Sequence, residues 1–169
     1  IFVCALIMFC SFAATAQTLT PIKFNDHLVQ MTLDLEKMGG EWGGKFGEIS
    51  KGSKNYSELT ATRLKMQGYC DKKIGELKAM KDVSGSEEFR KAVIGYLEFE
   101  KLLIQRGFVP LEKLSAKSTD ADVENAIKSL MEEAKNEETY LAKVHEAQDR
   151  YAKKNNFTIE TPATETPTN

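Results

Sequence analysis

The sequence predicts an all-helical protein, folded as an up-down-up-down antiparallel four-helix bundle. Apolar residues recur at every third or fourth position in four separate segments, and no segment shows the alternating pattern of a β-strand. Short turns join the four segments, so antiparallel packing is the most economical way to bury their apolar faces. The chain has 169 residues, of which 41% are hydrophobic and 28% are charged. This length and composition suit one domain with its own core.

The first predicted helix begins near Phe24 and meets a glycine-rich stretch between Gly39 and Gly47. Each glycine inside a helix costs about 1 kcal/mol relative to alanine, so one interpretation ends the helix near Met38. We favour a continuing helix whose bare glycine faces let a neighbouring element approach closely, because the apolar stripe stays in phase beyond the glycines. The stripe comprises Phe24, Leu28, Met31, Leu35, Met38, Trp42, Phe46 and Ile49.

A turn at residues 52–55 separates this helix from the second, whose apolar stripe runs from Leu59 to Leu77. Ser84, three residues before Glu87, predicts a capping box at the start of the third helix. Pro110 predicts the kink or the end of that helix, because proline lacks an amide hydrogen and clashes with the preceding turn.

Thr119 and Asp122 predict a second capping box, at the start of the fourth helix. The stripe from Val123 to Tyr151 predicts one continuous helix, the longest of the four. Residues 158–169 consist mostly of Thr, Pro and Glu and predict a disordered tail.

Residues 1–16 form an uncharged apolar run that ends in small residues, which is typical of a secretory signal peptide. Cleavage before Gln17 leaves a mature bundle at residues 17–157. The alternative is a lipoprotein anchored through Cys10, although Phe9 is a poor residue before a lipidated cysteine. After cleavage Cys70 is the one remaining cysteine, so we expect no internal disulfide.

The number and distribution of the charged residues argue against a nucleic-acid-binding function. The formal net charge is -2, and basic and acidic residues are interleaved, so the sequence lacks the basic surface of a nucleic-acid-binding protein.

Cys70 lies in an apolar stripe, where we expect an inert, packed thiol. The acidic pairs Glu132-Glu133 and Glu137-Glu138 are expected on a solvated face. No residue pattern of a catalytic site can be assembled, so a degenerate hydrolase ranks last.

Two further groups of residues are candidates for binding. His27 and Met31 on the first helix and His145 on the fourth could converge on a haem or a metal, although both histidines adjoin core positions and are typical of helix boundaries. Trp42 and Phe46 beside the glycines are candidates for a recognition surface. Core packing is the favoured interpretation of Trp42, because it lies in phase with the apolar stripe.

Two stretches, residues 23–29 and 145–157, resemble an uncharacterised family of exported bacterial helical bundles described as surface proteins. The resemblance rests on Asn25-Asp26 at the start of helix one, on the ending from Ala152 to Phe157, and on the helix start at residues 86–90. The resemblance implies a four-helix bundle outside the cytoplasm, often tethered as a lipoprotein. It assigns no catalytic residues.

Together these features predict a non-enzymatic protein of the cell envelope, periplasm or extracellular space that binds an unknown protein or envelope component. We expect no nucleic-acid partner, no cofactor and no transmembrane segment in the mature chain, with membrane anchoring only through a lipidated Cys10. The alternative is a periplasmic carrier of haem, metal or a small molecule that uses the cleft between helices one and four.

Overall fold

A computed structural model describes residues 19–159, and within this range every regular element is helical and no strand forms. The all-α class is therefore confirmed, whereas the predicted signal peptide and most of the predicted tail lie outside the described residues. The elements are α1 (Pro21–Lys51), a 3-10 turn (Tyr56–Leu59), α2 (Thr60–Ala79), α3 (Glu87–Leu103), a π-helical turn (Ile104–Phe108), α4 (Val109–Glu112), α5 (Asp120–Ala134) and α6 (Glu137–Lys154).

Helix α1 runs through the glycines without a break, as the phase of its apolar stripe predicts. With 31 residues it is longer than any other described helix, so the prediction that the fourth helix is the longest is wrong. Only Gly39 has a close neighbour, the Met66 Cε atom at 3.9 Å from where a Cβ would lie. A Cβ at Gly40, Gly43, Gly44 or Gly47 would meet no heavy atom of the described residues within 4 Å, so the expected close approach of a neighbouring element is also wrong there.

The capping box expected at Ser84 does not form. Ser84 has a positive φ of 52°, and the residue that precedes α3 is Ser86. The Ser86 hydroxyl accepts from the Val83 amide at 3.0 Å and donates to Asp82, so it closes the turn instead of capping the helix.

Pro110 lies in the first turn of α4, where no amide hydrogen is needed. The helix is instead disturbed earlier, at the π-helical turn that follows Leu103. The prediction that Pro110 kinks or ends the third helix is therefore wrong in position, because α3 ends at Leu103 and Pro110 lies at the start of the next short helix.

The fourth predicted helix is divided between Ala134 and Glu137 into α5 and α6, so a single continuous helix is wrong. The two halves pack against different elements: α5 lies mainly on the π-helical turn and α4, whereas α6 lies mainly on α3. Asn136 suits the break, because asparagine favours helix ends over helix interiors. The Thr119–Asp122 capping box at the start of α5 is confirmed, with amide-to-side-chain distances of 3.2 and 2.7 Å.

One core joins the elements, and α3 lies against both α2 and α6. At one end of the core Phe24, Phe89 and Tyr151 pack edge to face or tilted, with ring centroids 5.6 to 6.4 Å apart. Phe157 covers Tyr151 at 5.9 Å. The start of α1 therefore lies beside the end of α6. No described helix is both long and apolar enough to cross a membrane.

Candidate functional site

A cleft of about 300 Å³ lies between the end of α1 and the start of α5. Its apolar lining comes from Tyr56, Val123 and Ile127, and polar and charged side chains complete it: Ser50, Lys54, Ser115, Ser118, Asp120 and Glu124. A mostly apolar concavity with a few polar groups is the usual form of a ligand site. A second depression, beside the start of α3, is lined by Gly85 and charged residues alone.

Local sequence explains both walls of the cleft. Lys54 takes a positive φ of 52° and turns the chain after α1, which brings Tyr56 back against the bundle. On the other wall the Thr119–Asp122 capping box fixes where α5 begins. The Ser118 hydroxyl accepts from the Ser115 amide at 3.0 Å and holds the loop before it.

Helix α5 leaves much of its apolar face uncovered on this side. Ala126 is its one buried residue, while Val123 and Ile127 are only half-buried. The Ser50 hydroxyl oxygen of α1 is buried beside the cleft and has no hydrogen-bond partner among residues 19–159. A ligand in the cleft could therefore satisfy both an apolar surface and a polar atom.

Tyr56, which lines the cleft, belongs to a group of packed aromatic rings. Trp42 stacks on Phe108 with centroids 4.1 Å apart and on Phe46 at 5.7 Å, and Phe46 contacts Tyr56 at 5.7 Å. Trp42 is 3% exposed, which confirms that it belongs to the core, while Phe46 remains half-buried. Of the two residues considered for a recognition surface, Phe46 alone retains exposed surface.

The residues considered for haem or metal binding have separate environments. His27 Nε2 lies 2.6 Å from Glu76 Oε1 in α2, and the other Glu76 oxygen accepts from Lys73 at 2.9 Å. Met31 is buried in the core, and His145 is exposed on α6. Among residues 19–159 no three His, Cys, Asp or Glu side chains are grouped so that they could hold a metal ion.

Cys70 is fully buried, and burial together with the nearby Glu100 carboxylate raises the pKa of its thiol to about 12. The interpretation as an unreactive core thiol therefore has a physical basis, because the thiolate is the reactive form.

Glu100 is a residue that the sequence analysis missed. It is 7% exposed, and its Oε1 atom has no hydrogen-bond partner in the described part of the chain. Burial, and then the charge of Glu137, raise the pKa of Glu100 to about 8. The sequence contained one indication that Glu100 is buried, namely its helical spacing from four buried apolar or aromatic residues: Tyr96, Leu97, Leu103 and Ile104.

Glu137 was expected on the solvated face, but it is half-buried at the start of α6 and acts on Glu100. Two of the other three members of the acidic pairs, Glu132 and Glu138, are exposed as expected, and Glu132 pairs with Lys135 at 2.6 Å. Glu133, like Glu137, is half-buried.

Comparison of the chain with family models, with curated proteins and with solved structures gives no significant match.

Proposed function

We propose that this protein is an exported, non-enzymatic helical bundle that acts by binding an envelope or extracellular component in the cleft between α1 and α5. The cleft carries the proposal, because it combines apolar surface at Val123 and Ile127 with a buried, unsatisfied hydroxyl at Ser50. Export rests on the signal-like residues 1–16 and on the resemblance to exported surface proteins.

We also infer the up-down-up-down antiparallel arrangement of the helices. The contacts of α1 with the 3-10 turn and with α2 support it, because the residue number in α1 rises from one contact to the next while that of its partner falls. The contacts are His27 with Glu76, Asp34 with Tyr69, and Lys45 with Glu58. Between α2 and α3 the ion pairs Asp71–Lys101 and Lys78–Glu98 follow the same rule. This arrangement brings the end of α1 and the start of α5 to one end of the bundle.

Photo-crosslinking in the native host tests the binding function. The photoreactive residue p-benzoylphenylalanine replaces Glu124 in the cleft, and in a matched control it replaces exposed Lys72 on α2. A discrete crosslinked species from Glu124 that is absent from the Lys72 control supports binding in the cleft. No species, or the same species from both positions, contradicts it.

Export is tested separately, by fusing residues 1–18 to alkaline phosphatase, an enzyme that becomes active only outside the cytoplasm. Activity is expected for the wild-type segment. Replacing Ala14 and Ala16 with Arg should block cleavage, which mass spectrometry of the fusion detects. Replacing Cys10 with Ala separates the two export modes, because only a lipidated protein loses its membrane attachment.

A carrier of a small molecule is the second candidate, and the position of the cleft between helix one and the first half of helix four favours it. For the haem or metal form of this function, the test is an absorption spectrum with elemental analysis of residues 17–169 purified from the host. A Soret band or a stoichiometric metal that disappears in His27→Ala and His145→Ala would support it. A colourless, metal-free protein would contradict the haem and metal forms.

A further inference from the structure

The cleft between α1 and α5 carries side chains of both charges on opposite walls. Lys54 lies in the turn after α1, where its amide donates to the Ile49 carbonyl at 2.9 Å and fixes the turn. Asp120 and Glu124 lie on the other wall, four positions apart and therefore on one side of α5. None of these three charged side chains forms an ion pair with another residue between 19 and 159.

Apolar surface and a buried hydroxyl accompany these charges. Along α5 the two carboxylates alternate with Val123 and Ile127, so that charged and apolar groups lie side by side on that wall. On the other wall the buried Ser50 hydroxyl oxygen has no hydrogen-bond partner in the described part of the chain. Because a hydroxyl donates readily to an anionic oxygen, Ser50 and Lys54 together suit an anionic group.

We propose that the cleft binds a small zwitterion, namely an α-amino acid with an apolar side chain. Its ammonium group donates to the two carboxylates of α5, and its carboxylate accepts from Lys54 and Ser50. Its side chain lies on the apolar residues of the cleft, which are Tyr56, Val123 and Ile127. This inference rests on the proposed function, because it takes the cleft as the binding site, and it names the class of ligand.

The size and the charges of the cleft favour this class over others. A volume of about 300 Å³ is at the lower end of the range for ligand pockets, which selects a small molecule. A purely anionic ligand would face the carboxylates of Asp120 and Glu124, and a purely cationic ligand would face Lys54. A purely apolar ligand would leave the buried Ser50 hydroxyl without a partner, which is unfavourable. A zwitterion supplies a partner for every one of these groups.

Isothermal titration calorimetry with L-phenylalanine tests the proposal on residues 17–169, which contain the whole described core. The charged side chains of the cleft are exposed, and exposed ion pairs are weak, so we expect a dissociation constant between about 10 µM and 1 mM. Three analogues each lack one part of the ligand. 3-Phenylpropionate lacks the ammonium group, phenethylamine lacks the carboxylate, and glycine lacks the side chain. Each should bind at least about tenfold more weakly than phenylalanine.

Two charge variants should affect the analogues in opposite ways. Lys54→Met should weaken the binding of phenylalanine and 3-phenylpropionate but not that of phenethylamine. Glu124→Gln should weaken the binding of phenylalanine and phenethylamine but not that of 3-phenylpropionate. Lys72→Met on α2 and Glu138→Gln on α6 are matched controls at exposed positions outside the cleft, and they should leave all affinities unchanged.

This crossed pattern supports the proposal, because a general loss of stability would weaken the binding of every ligand alike. The proposal is overturned if phenylalanine does not bind at about 10 mM, if an analogue that lacks one charge binds as tightly, or if neither charge variant changes the affinity for phenylalanine. An analogue that binds more tightly than phenylalanine, and whose affinity changes in Lys54→Met or Glu124→Gln, would overturn the ligand class but keep the cleft as a binding site. Photo-crosslinking from position 124 tests the proposed function separately.

Discussion

Gln148 in α6 donates a hydrogen bond from Nε2 to Asn25 Oδ1 in α1 at 2.8 Å, and both side chains are buried. The two residues are 123 positions apart, so this bond ties the first described helix to the last. Asn25 also donates to Asp26 at 3.1 Å. Because the bond requires one relative position of α1 and α6, it helps to select one packing of the helices over others with the same apolar contacts.

Gln148→Ala is expected to lower the free energy of unfolding by about 1 to 3 kcal/mol, because the buried Asn25 carbonyl loses its donor. Replacing both residues with Leu removes the polar atoms together and should cost less than the sum of the two single leucine variants. Urea unfolding of the wild type, the two single leucine variants and the double leucine variant gives the coupling energy. Strict additivity would mean that the bond contributes nothing of its own.

The buried Glu100 is expected to make stability depend on pH. Its pKa rises from 4.5 in the unfolded chain to about 8 in the folded protein. Between these two values the folded state binds a proton that the unfolded state has released, so stability falls as the pH rises. At about 1.4 kcal/mol for each pKa unit, the contribution lost across this window is on the order of 5 kcal/mol.

Glu100→Gln removes this titration and keeps the shape of the side chain. Near pH 4.5 the variant should match the wild type, and above pH 8 it should be the more stable of the two. Urea midpoints measured at intervals across the window test this expectation. Parallel curves for the two proteins would show that Glu100 does not titrate in this range.

An ion pair between α2 and α4 should contribute more than the surface pairs do. Glu112 accepts from Arg63 Nε at 2.6 Å and from the Thr60 hydroxyl at 2.9 Å, and both charged side chains are largely buried. Arg63→Met would leave the Glu112 carboxylate buried without a counter-charge. We expect a loss of about 3 to 5 kcal/mol in the free energy of unfolding.

The matched control is Lys78→Met, which removes an ion pair with Glu98 whose two side chains are more than half exposed. Exposed pairs contribute about 0 to 1 kcal/mol, so little change is expected. Thermal unfolding of both variants at one pH gives the comparison. Equal losses would mean that burial of the Arg63 pair is not what matters.

Periodicity alone predicted most of the fold, because burial of an apolar stripe is a strong and regular signal. It carried α1 correctly through the glycines, since Trp42 and Ile49 stay in phase with Phe24. The break at Asn136 escaped prediction because the stripe continues across it. The break depends on α5 and α6 packing against different elements, and that information is not local.

The cleft could not be predicted for a similar reason. The cleft depends on where α5 lies relative to the end of α1. The two histidines that the sequence suggested as ligands do not lie at a shared site. His27 pairs with Glu76, a contact between residues 49 positions apart. The local signals at Thr119 and Lys54 fix the two walls, but no local signal fixes the distance between them.

A larger residue is expected to destabilise the protein at Gly107 and to stabilise it at Gly95, twelve positions earlier. A Cβ at Gly107 would lie 2.6 Å from Leu130 Cδ1 and 3.3 Å from Leu103 Cδ1, so these two side chains would have to move. A Cβ at Gly95, inside α3, would meet no described heavy atom within 4 Å. The two positions therefore separate helix propensity from packing.

Gly107→Ala is expected to destabilise the protein by about 1 to 3 kcal/mol through overpacking, despite the better helix propensity of alanine. Gly95→Ala should stabilise it by up to about 1 kcal/mol. Chemical unfolding of each variant gives these values, and Leu130→Ala provides the decisive combination. Because Leu130→Ala removes the atom nearest to the added methyl group, Gly107→Ala should cost less in that background than in the wild type. An unchanged cost would place the strain in the π-helical turn itself and not in its contact with α5.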